Sequence, residues 1–328
     1  MLRRTAFAAG CGLVSALFQL SILTGSPGSF ILTYLAQFPL FVAGLSLGTA
    51  GAAVAAGTAA AAMAAAPWPW STAIFLVANA LPVLVLTHKA MQRRTLGGAE
   101  LPPEQGRIEW YPGGSLVVWL VGLGVVAVVA AGVAWSGSPG GLHNSVREML
   151  SAEMGRLFEH GEAAAAPAER LDGVVGVVSA VFPALAASSW LIMAAANGVL
   201  AQGVLARFGR NLRPSPDLAA LALPGWVTVA VAAAGLLATF GSDDGTLAYV
   251  GLNVLLVLGV AFFFAGLAVV HAAVRRYSAR GLLLAAFYVL MVIFGGWPVA
   301  LVIGLGFVDQ WAGLRQRFAA ALPGRGEE

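Results

Sequence analysis

Among the uncharged polar residues that interrupt otherwise apolar stretches of this chain, eight with amide or phenol side chains stand out: Gln19, Tyr34, Gln37, Asn79, Asn197, Gln202, Tyr249 and Asn253. An amide or phenol among aliphatic side chains needs a hydrogen-bond partner, because leaving it unpaired costs free energy. Two arrangements meet that need. Such groups either join neighbouring helices or line a cavity and contact a solute. Asn79 stands out, since Pro82 follows within a turn and frees a backbone carbonyl there. A polar side chain beside a broken helix is a common way to build a ligand site at mid-membrane depth. Asn79, Asn197, Gln202, Tyr249 and Asn253 are therefore the candidate solute-binding residues.

Other chemistries are poorly supplied. The chain contains no G-x-x-x-x-G-K-[ST] loop, so no nucleotide motor is expected within it. It has no H-E-x-x-H motif, and its four histidines are scattered: His143 and His160 fall in a charged loop, His88 and His271 at the ends of apolar runs. The single cysteine, Cys11, excludes an internal disulfide. Carboxylates inside a membrane usually mark proton or cation relays, yet all fifteen here are assigned to loops, tails or helix ends. Asp309 comes closest to the interior, with Arg315 six residues on as its expected interfacial partner. No metal, cofactor, nucleic acid or catalytic residue is expected, and the chain does not read as an enzyme.

A third kind of signal is steric. From Phe38 to Ala66 there is no charge and a Gly or Ala at nearly every turn. Gly44 and Gly48 form G-x-x-x-G, Gly51 extends the same side by three residues, and Gly57 falls near it two turns later. Small residues at this spacing let helix backbones approach closely, where dispersion and Cα–H contacts act. The stretch predicts a tight helix contact, serving either packing alone or a sliding interface.

These residues need a membrane to hold them. Hydrophobic residues make up 59% of the 328 residues and charged residues 10%, against about 25% charged in soluble domains. Mean hydropathy is +0.85. Apolar runs cover about residues 5–23, 30–48, 49–66, 71–87, 115–135, 173–204, 223–240, 247–273 and 281–308, and about 20 apolar residues span a bilayer. Without period-2 alternation these runs are helices. The expected fold is all-α: one integral membrane domain, a polytopic bundle of nine or ten membrane segments. A four-helix block over 5–87 leads through a cytoplasmic loop, 88–114, to a second helical block over 115–318.

Loop charges orient it. Arg3, Arg4, Lys89, Arg93, Arg94, Arg107, Arg207, Arg210, Arg213, Arg275, Arg276 and Arg280 mark cytoplasmic ends. The N-terminus is thus expected inside, and "GSDDGT" around Asp243 and Asp244 is an outside turn. The acidic loop 136–172 also belongs outside. Within it Val146, Leu150, Met154, Leu157 and Phe158 have amphipathic-helix spacing. Gly295, Gly296 and Pro298 break the last run; Arg315, Arg317 and Arg325 favour an inside tail, which needs a hairpin there rather than a single crossing. Seventeen Arg against one Lys, with much Ala and Gly, suggest a GC-rich bacterial genome and hence a bacterial inner membrane.

Two segments carry resemblances. "LAQFPLFVAGLSLGTAGAAVAAG", with Pro39, Gly44, Gly48 and Gly51, resembles the second-to-third-helix region of membrane substrate-binding subunits of energy-coupling-factor vitamin transporters. "GLGFVDQWAGLRQRF", with Gly304, Gly306, Asp309, Trp311, Arg315 and Arg317, is similar to the C-terminal signature of the YybS-like family of uncharacterised bacterial membrane proteins. The resemblance implies a polytopic protein distantly related to vitamin-binding subunits, although those have about six spans. The expected function is small-solute transport powered by a partner ATPase module or a gradient. The alternative is a membrane scaffold that binds envelope-synthesis proteins.

Overall fold

The computed structural model describes residues 1–66, 68, 70–96, 107–159, 168–241 and 245–320. It is helical almost throughout, as its composition requires, and its helices group into two compact units. The first comprises residues 1–120 and 191–217, the second residues 121–190 and 218–328. Residues 191–217 therefore pack with the N-terminal block rather than with the second block in which the sequence places them.

In the first unit, α1 (Leu2–Leu20) buries Ala8, Gly12, Ser15 and Ala16, one face at i, i+4, i+7 and i+8. Its main neighbour is α4 (Thr49–Ala64), which presents Ala52, Ala55, Ala56, Ala59 and Met63 at the matching period. Alanine is the strongest helix former and has no side-chain entropy to lose, so a stretch with no polar anchor still makes a regular helix here. Gly12 lies against the Ala55 carbonyl, where a β-carbon would overlap. The span preceding α4 is not one helix. It divides into α2 (Pro27–Tyr34) and α3 (Gln37–Leu47).

The small-residue stripe proves to be three different things. Gly44 is a packing glycine: a β-carbon there would come within 2.7 Å of Thr87 Oγ1. Gly48 is not on a helix face. With φ 83° and ψ −175° it ends α3 and starts α4, a backbone region that is essentially glycine-only. Gly51 faces Leu47 and the Ala43 carbonyl across that joint, and Gly57 faces open space. The expected G-x-x-x-G contact is thus corrected: its spacing arises from one close approach and one chain break.

α5 (Ser71–Phe75) and α6 (Leu81–Ala90) form one candidate span through a π turn at Leu76–Ala80. The segment after it is more than a loop. Strand β1 (Arg93–Leu96) pairs antiparallel with β2 (Arg107–Trp110), Arg93 opposite Trp110 and Arg94 opposite Glu109. This ribbon is the only strand pairing among the described residues. α7 (Gly113–Ala134) and α9 (Ala168–Arg207) each contribute residues to both units.

The second unit is organised on α11 (Thr246–Val274), which packs against α10 (Trp226–Phe240) and α13 (Gly296–Ala312). Gly266 abuts the Val302 carbonyl and Gly306 the Phe262 carbonyl, leaving no room for a β-carbon at either position. α8 (Gly141–Glu159) is the expected amphipathic helix; it buries Leu142 and Val146 beside Tyr249. The side chains of Leu157 and Phe158 lie outside the described residues, as do Asp243 and Asp244 of the expected outside turn and Arg325 of the tail. α12 (Arg280–Phe294) buries no residue. It ends at Gly295, φ 58° and ψ −120°, so the break in the last run falls there, and Pro298 sits in the first turn of α13, where proline is tolerated. A short α14 (Leu314–Ala320) follows.

Among the described residues, six helical segments are long and apolar enough to cross a membrane: Leu2–Thr24, Pro27–Leu47, Ser71–Ala90, Gly113–Ala134, Asp172–Arg207 and Thr246–Val274. Three shorter apolar helices, Thr49–Ala64, Trp226–Phe240 and Arg280–Phe294, accompany them. The chain is an all-α polytopic membrane protein.

Candidate functional site

Three prolines sit inside candidate spans, each releases a backbone carbonyl, and at each break a distant side chain donates to a carbonyl that has lost its helical partner. Proline has no N–H, so the carbonyl four residues earlier loses its helical donor. Inside a bilayer water cannot replace it, and protein must.

Pro183 breaks α9 in the second unit. The carbonyl it strands is that of Ser179, which accepts from the Tyr249 hydroxyl at 2.8 Å. One residue on, Asn253 inserts its carboxamide into the helical ladder. Its Nδ2 donates to the Ala180 carbonyl at 3.0 Å, and its Oδ1 accepts from the Ala184 N–H at 2.9 Å. The second amide hydrogen goes to the Tyr249 carbonyl at 2.9 Å. Tyr249 and Asn253 stand one turn apart on α11, the spacing needed to reach successive positions of α9. Every polar atom of the Asn253 side chain is engaged. These two residues splice a broken helix.

Pro82 and Pro39 act in the first unit. Pro82 strands the Ala78 carbonyl; the π turn widens the backbone around it, with the Leu81 N–H reaching the Leu76 carbonyl. Gln37 Nε2 donates to Ala78 O at 2.9 Å. Pro39 strands Leu35 O, which accepts from the Phe38 N–H instead. That in turn deprives Tyr34 O of its helical donor, and Asn197 Nδ2 supplies one at 2.8 Å while also donating to Met193 O at 2.8 Å. The same chain break receives Ser15, whose hydroxyl donates to Ala36 O at 2.6 Å. Asn79, within the π turn, donates to Gln19 Oε1 at 3.1 Å.

The result is a layer of neutral polar groups from α1, the α2–α3 joint, the π turn and α9, near the middle of the Pro27–Leu47 and Ser71–Ala90 spans. Unlike the splice at Pro183, it is incomplete. Gln37 Oε1 and Asn197 Oδ1 are buried with no hydrogen-bond partner, in residues 0% and 2% exposed. Both amide orientations are set by the network, since each nitrogen already faces a carbonyl. Thr87 Oγ1, beside Gly44, is a third buried atom without a partner. Buried unsatisfied acceptors are rare in folded proteins, and π turns occur often at functional sites.

The five sequence candidates therefore do not converge. Asn79, Asn197 and Gln202 belong to the first unit, Tyr249 and Asn253 to the second. Gln202 is a positioning residue: its Nε2 donates to Arg213 O at 2.8 Å and Ser215 Oγ at 3.3 Å. Arg213, 6% exposed, donates to the Ala90 and Tyr111 carbonyls at 3.3 and 2.7 Å. Burial pushes its guanidinium below the ordinary value, while the carbonyl at the α6 C-terminus favours the cation. Gln19, Gln37 and Ser15 are the members sequence reasoning did not select as solute-binding candidates, and Pro39 and Pro82, each four residues beyond a carbonyl, were the available signal.

The C-terminal motif is also structural. Asp309, 4% exposed, accepts from Arg315 Nε at 2.7 Å and from the Arg315 N–H at 3.1 Å. Arg315 further donates to the Leu221 carbonyl, and Gln310 to the Leu223 carbonyl at 3.1 Å. Gly304 faces open space, Trp311 is exposed with its ring edge-on to Phe307, and Arg317 is exposed. Of the six motif residues, Gly306 makes a close backbone approach, Asp309 and Arg315 pair with each other, and Trp311 makes a ring contact.

No curated protein and no solved structure matches this chain. A family model described as "Predicted membrane protein (DUF2232)" matches residues 13–310, a range that takes in both proline-break networks and ends just past Asp309. The chain belongs to that family.

Proposed function

We propose that this protein binds a small solute in the polar layer of its first unit and acts as a transport-type membrane protein without its own nucleotide motor. The observation that supports it is the contrast between the breaks: the Pro183 splice is fully paired, whereas Gln37 Oε1 and Asn197 Oδ1 are left open beside two broken spans. Discontinuous helices meeting at mid-membrane depth are a common setting for solute sites. Both open atoms are acceptors, so the solute presents N–H or O–H groups, and a layer of neutral amides and hydroxyls suits an uncharged molecule. The resemblance of the Leu35–Gly57 segment to vitamin-binding subunits agrees with this reading, and an ATPase module is then the expected partner.

The full-length protein purified in mild detergent should retain a small molecule detectable by mass spectrometry. Asn197→Leu should lose it per folded molecule, whereas Asn253→Leu, which disturbs only the splice, should keep it. Empty wild-type preparations in several detergents, with no uptake defect on gene deletion, would overturn the proposal. The scaffold alternative draws on α12, an apolar helix with no buried residue; crosslinking from α12 to envelope-synthesis proteins instead of an ATPase would favour it.

A further inference from the structure

α3 is bracketed by two chain breaks. At its start the turn at Leu35 and Ala36 separates it from α2, and at its end Gly48, φ 83°, leads directly into α4. Seven of its eleven residues are buried, against six of sixteen in α4, so burial alone would make α3 the better fixed of the two. Its contacts are smooth, however, rather than interlocked. Each of three neighbouring helices meets it through a glycine: α6 sets Thr87 against Gly44, α9 sets Gly198 against the Phe41 ring, and α4 sets Gly51 against Leu47 and the Ala43 carbonyl.

The buried side-chain polar atoms that lack a partner among the described residues are Gln37 Oε1, Thr87 Oγ1 and Asn197 Oδ1, and all three border this helix. Gln37 opens α3, Thr87 lies on Gly44, and Asn197 is bonded to Tyr34 O at the α2–α3 break, next to the Gly198–Phe41 contact. A solute in the polar layer would answer the first and the third. Thr87 is different: it is 0% exposed, closed off by the Gly44 backbone, and seven residues along α3 from Gln37, a distance of about 10 Å. Nor does it use the usual remedy of a helical hydroxyl, the carbonyl four residues back, which Ser46 and Thr58 both take on the helices nearby. Water cannot reach such a group in a bilayer, so leaving it unpaired costs free energy. Unpaired buried groups and glycine-only backbone angles mark elements that have a second arrangement, and packed helices with small facing residues pass between arrangements by sliding. We infer that α3 is the moving element of the first unit, an 11-residue half-helix that slides between its two breaks and gives the Thr87 hydroxyl a partner in its second position. The motion links Gln37 in the polar layer to the Gly48 joint, where the Leu212 N–H holds Leu45 O. It does not require the solute proposed above.

Hydrogen–deuterium exchange of the full-length protein in mild detergent, read by mass spectrometry and corrected for intrinsic rates, tests this. Amides of residues 41–47 should exchange about 10-fold faster than those of residues 53–63 in α4, reversing the order that burial sets. Thr87→Val keeps nearly the same shape without the hydroxyl; it should slow exchange in α3 by about 5-fold, the equivalent of one hydrogen bond, and leave α4 unchanged. Thr87→Ser, which retains the hydroxyl, should stay within about 2-fold of wild type. Gly198→Ala acts from another side. Its β-carbon would meet the Phe41 ring at an ordinary 3.5 Å, so this variant should fold even if Thr87→Val does not, and the added contact should slow α3 by about 2- to 5-fold. Protection of residues 41–47 equal to that of 53–63 in wild type, or unchanged α3 rates in folded Thr87→Val and Gly198→Ala, would overturn the inference. So would a slowing that is equal in α3 and α4, since it would report greater global stability alone.

Discussion

The hydroxyl of Tyr249 and the carboxamide of Asn253 replace what Pro183 removes from α9. Interhelical hydrogen bonds in membranes average only about 0.6 kcal/mol, because the unfolded chain in lipid also finds partners. Ser179 O has lost its ordinary helical donor, however, so stripping its substitute leaves a buried acceptor unpaired, at about 1–3 kcal/mol. Tyr249→Phe should therefore lower the unfolding free energy in detergent by about 1–2 kcal/mol. In a Pro183→Ala background the backbone regains an N–H that can donate to Ser179 O, and the same Tyr249→Phe change should cost well under half as much. A double-mutant cycle measures this directly; equal costs in both backgrounds would show that the hydroxyl does not act through the proline break.

Gly48 governs how two elements meet. Its φ of 83° with ψ of −175° lets α3 stop and α4 start without an intervening loop, and the joint is held by the Leu212 N–H donating to Leu45 O at 3.0 Å. A β-carbon at Gly48 has room, its nearest neighbour being Leu212 Cδ1 at 4.0 Å. The penalty for alanine is thus backbone strain and not overpacking. Gly48→Ala should destabilise by on the order of 1–3 kcal/mol, whereas Gly57→Ala, on the open face of α4, should be neutral or stabilise by up to about 1 kcal/mol. Thermal unfolding of the two variants side by side checks this. A Gly57 effect as large as that of Gly48 would mean that α4 packs against something on its open face.

For the whole molecule, charge at the span ends sets the expected orientation, with Arg-rich ends inside the cell. On a Cys11→Ser background, Thr95→Cys and Gln316→Cys should be shielded from an impermeant thiol reagent in intact cells, while Ser136→Cys should react. All three positions are exposed in the fold, so differences in labelling report sidedness. Labelling at Gln316 with Thr95 shielded would place the two ribbon- and tail-bearing ends on opposite sides of the membrane.

Apolar run lengths and the proline and glycine positions were enough to determine an all-α membrane chain, six of the nine or ten expected membrane segments as helices long enough to span among the described residues, the amphipathic α8 and the break between α12 and α13. Each is set within a window of some 20 neighbouring residues, the range over which hydropathy and backbone preference act. The sequence likewise marked the uncharged polar residues as the ones that need partners. Which partner each finds depended on the tertiary structure. Gln37 reaches Ala78 across 41 residues, Tyr249 reaches Ser179 across 70, and Asn197 reaches Tyr34 across 163. A freed carbonyl announces itself by a proline four residues on, but its donor arrives from another helix, and only packing selects that helix. For the same reason the carboxamide of Asn253 is consumed by a splice while those of Gln37 and Asn197 keep open acceptors: the same functional group, separated by how many backbone groups the fold brings within reach.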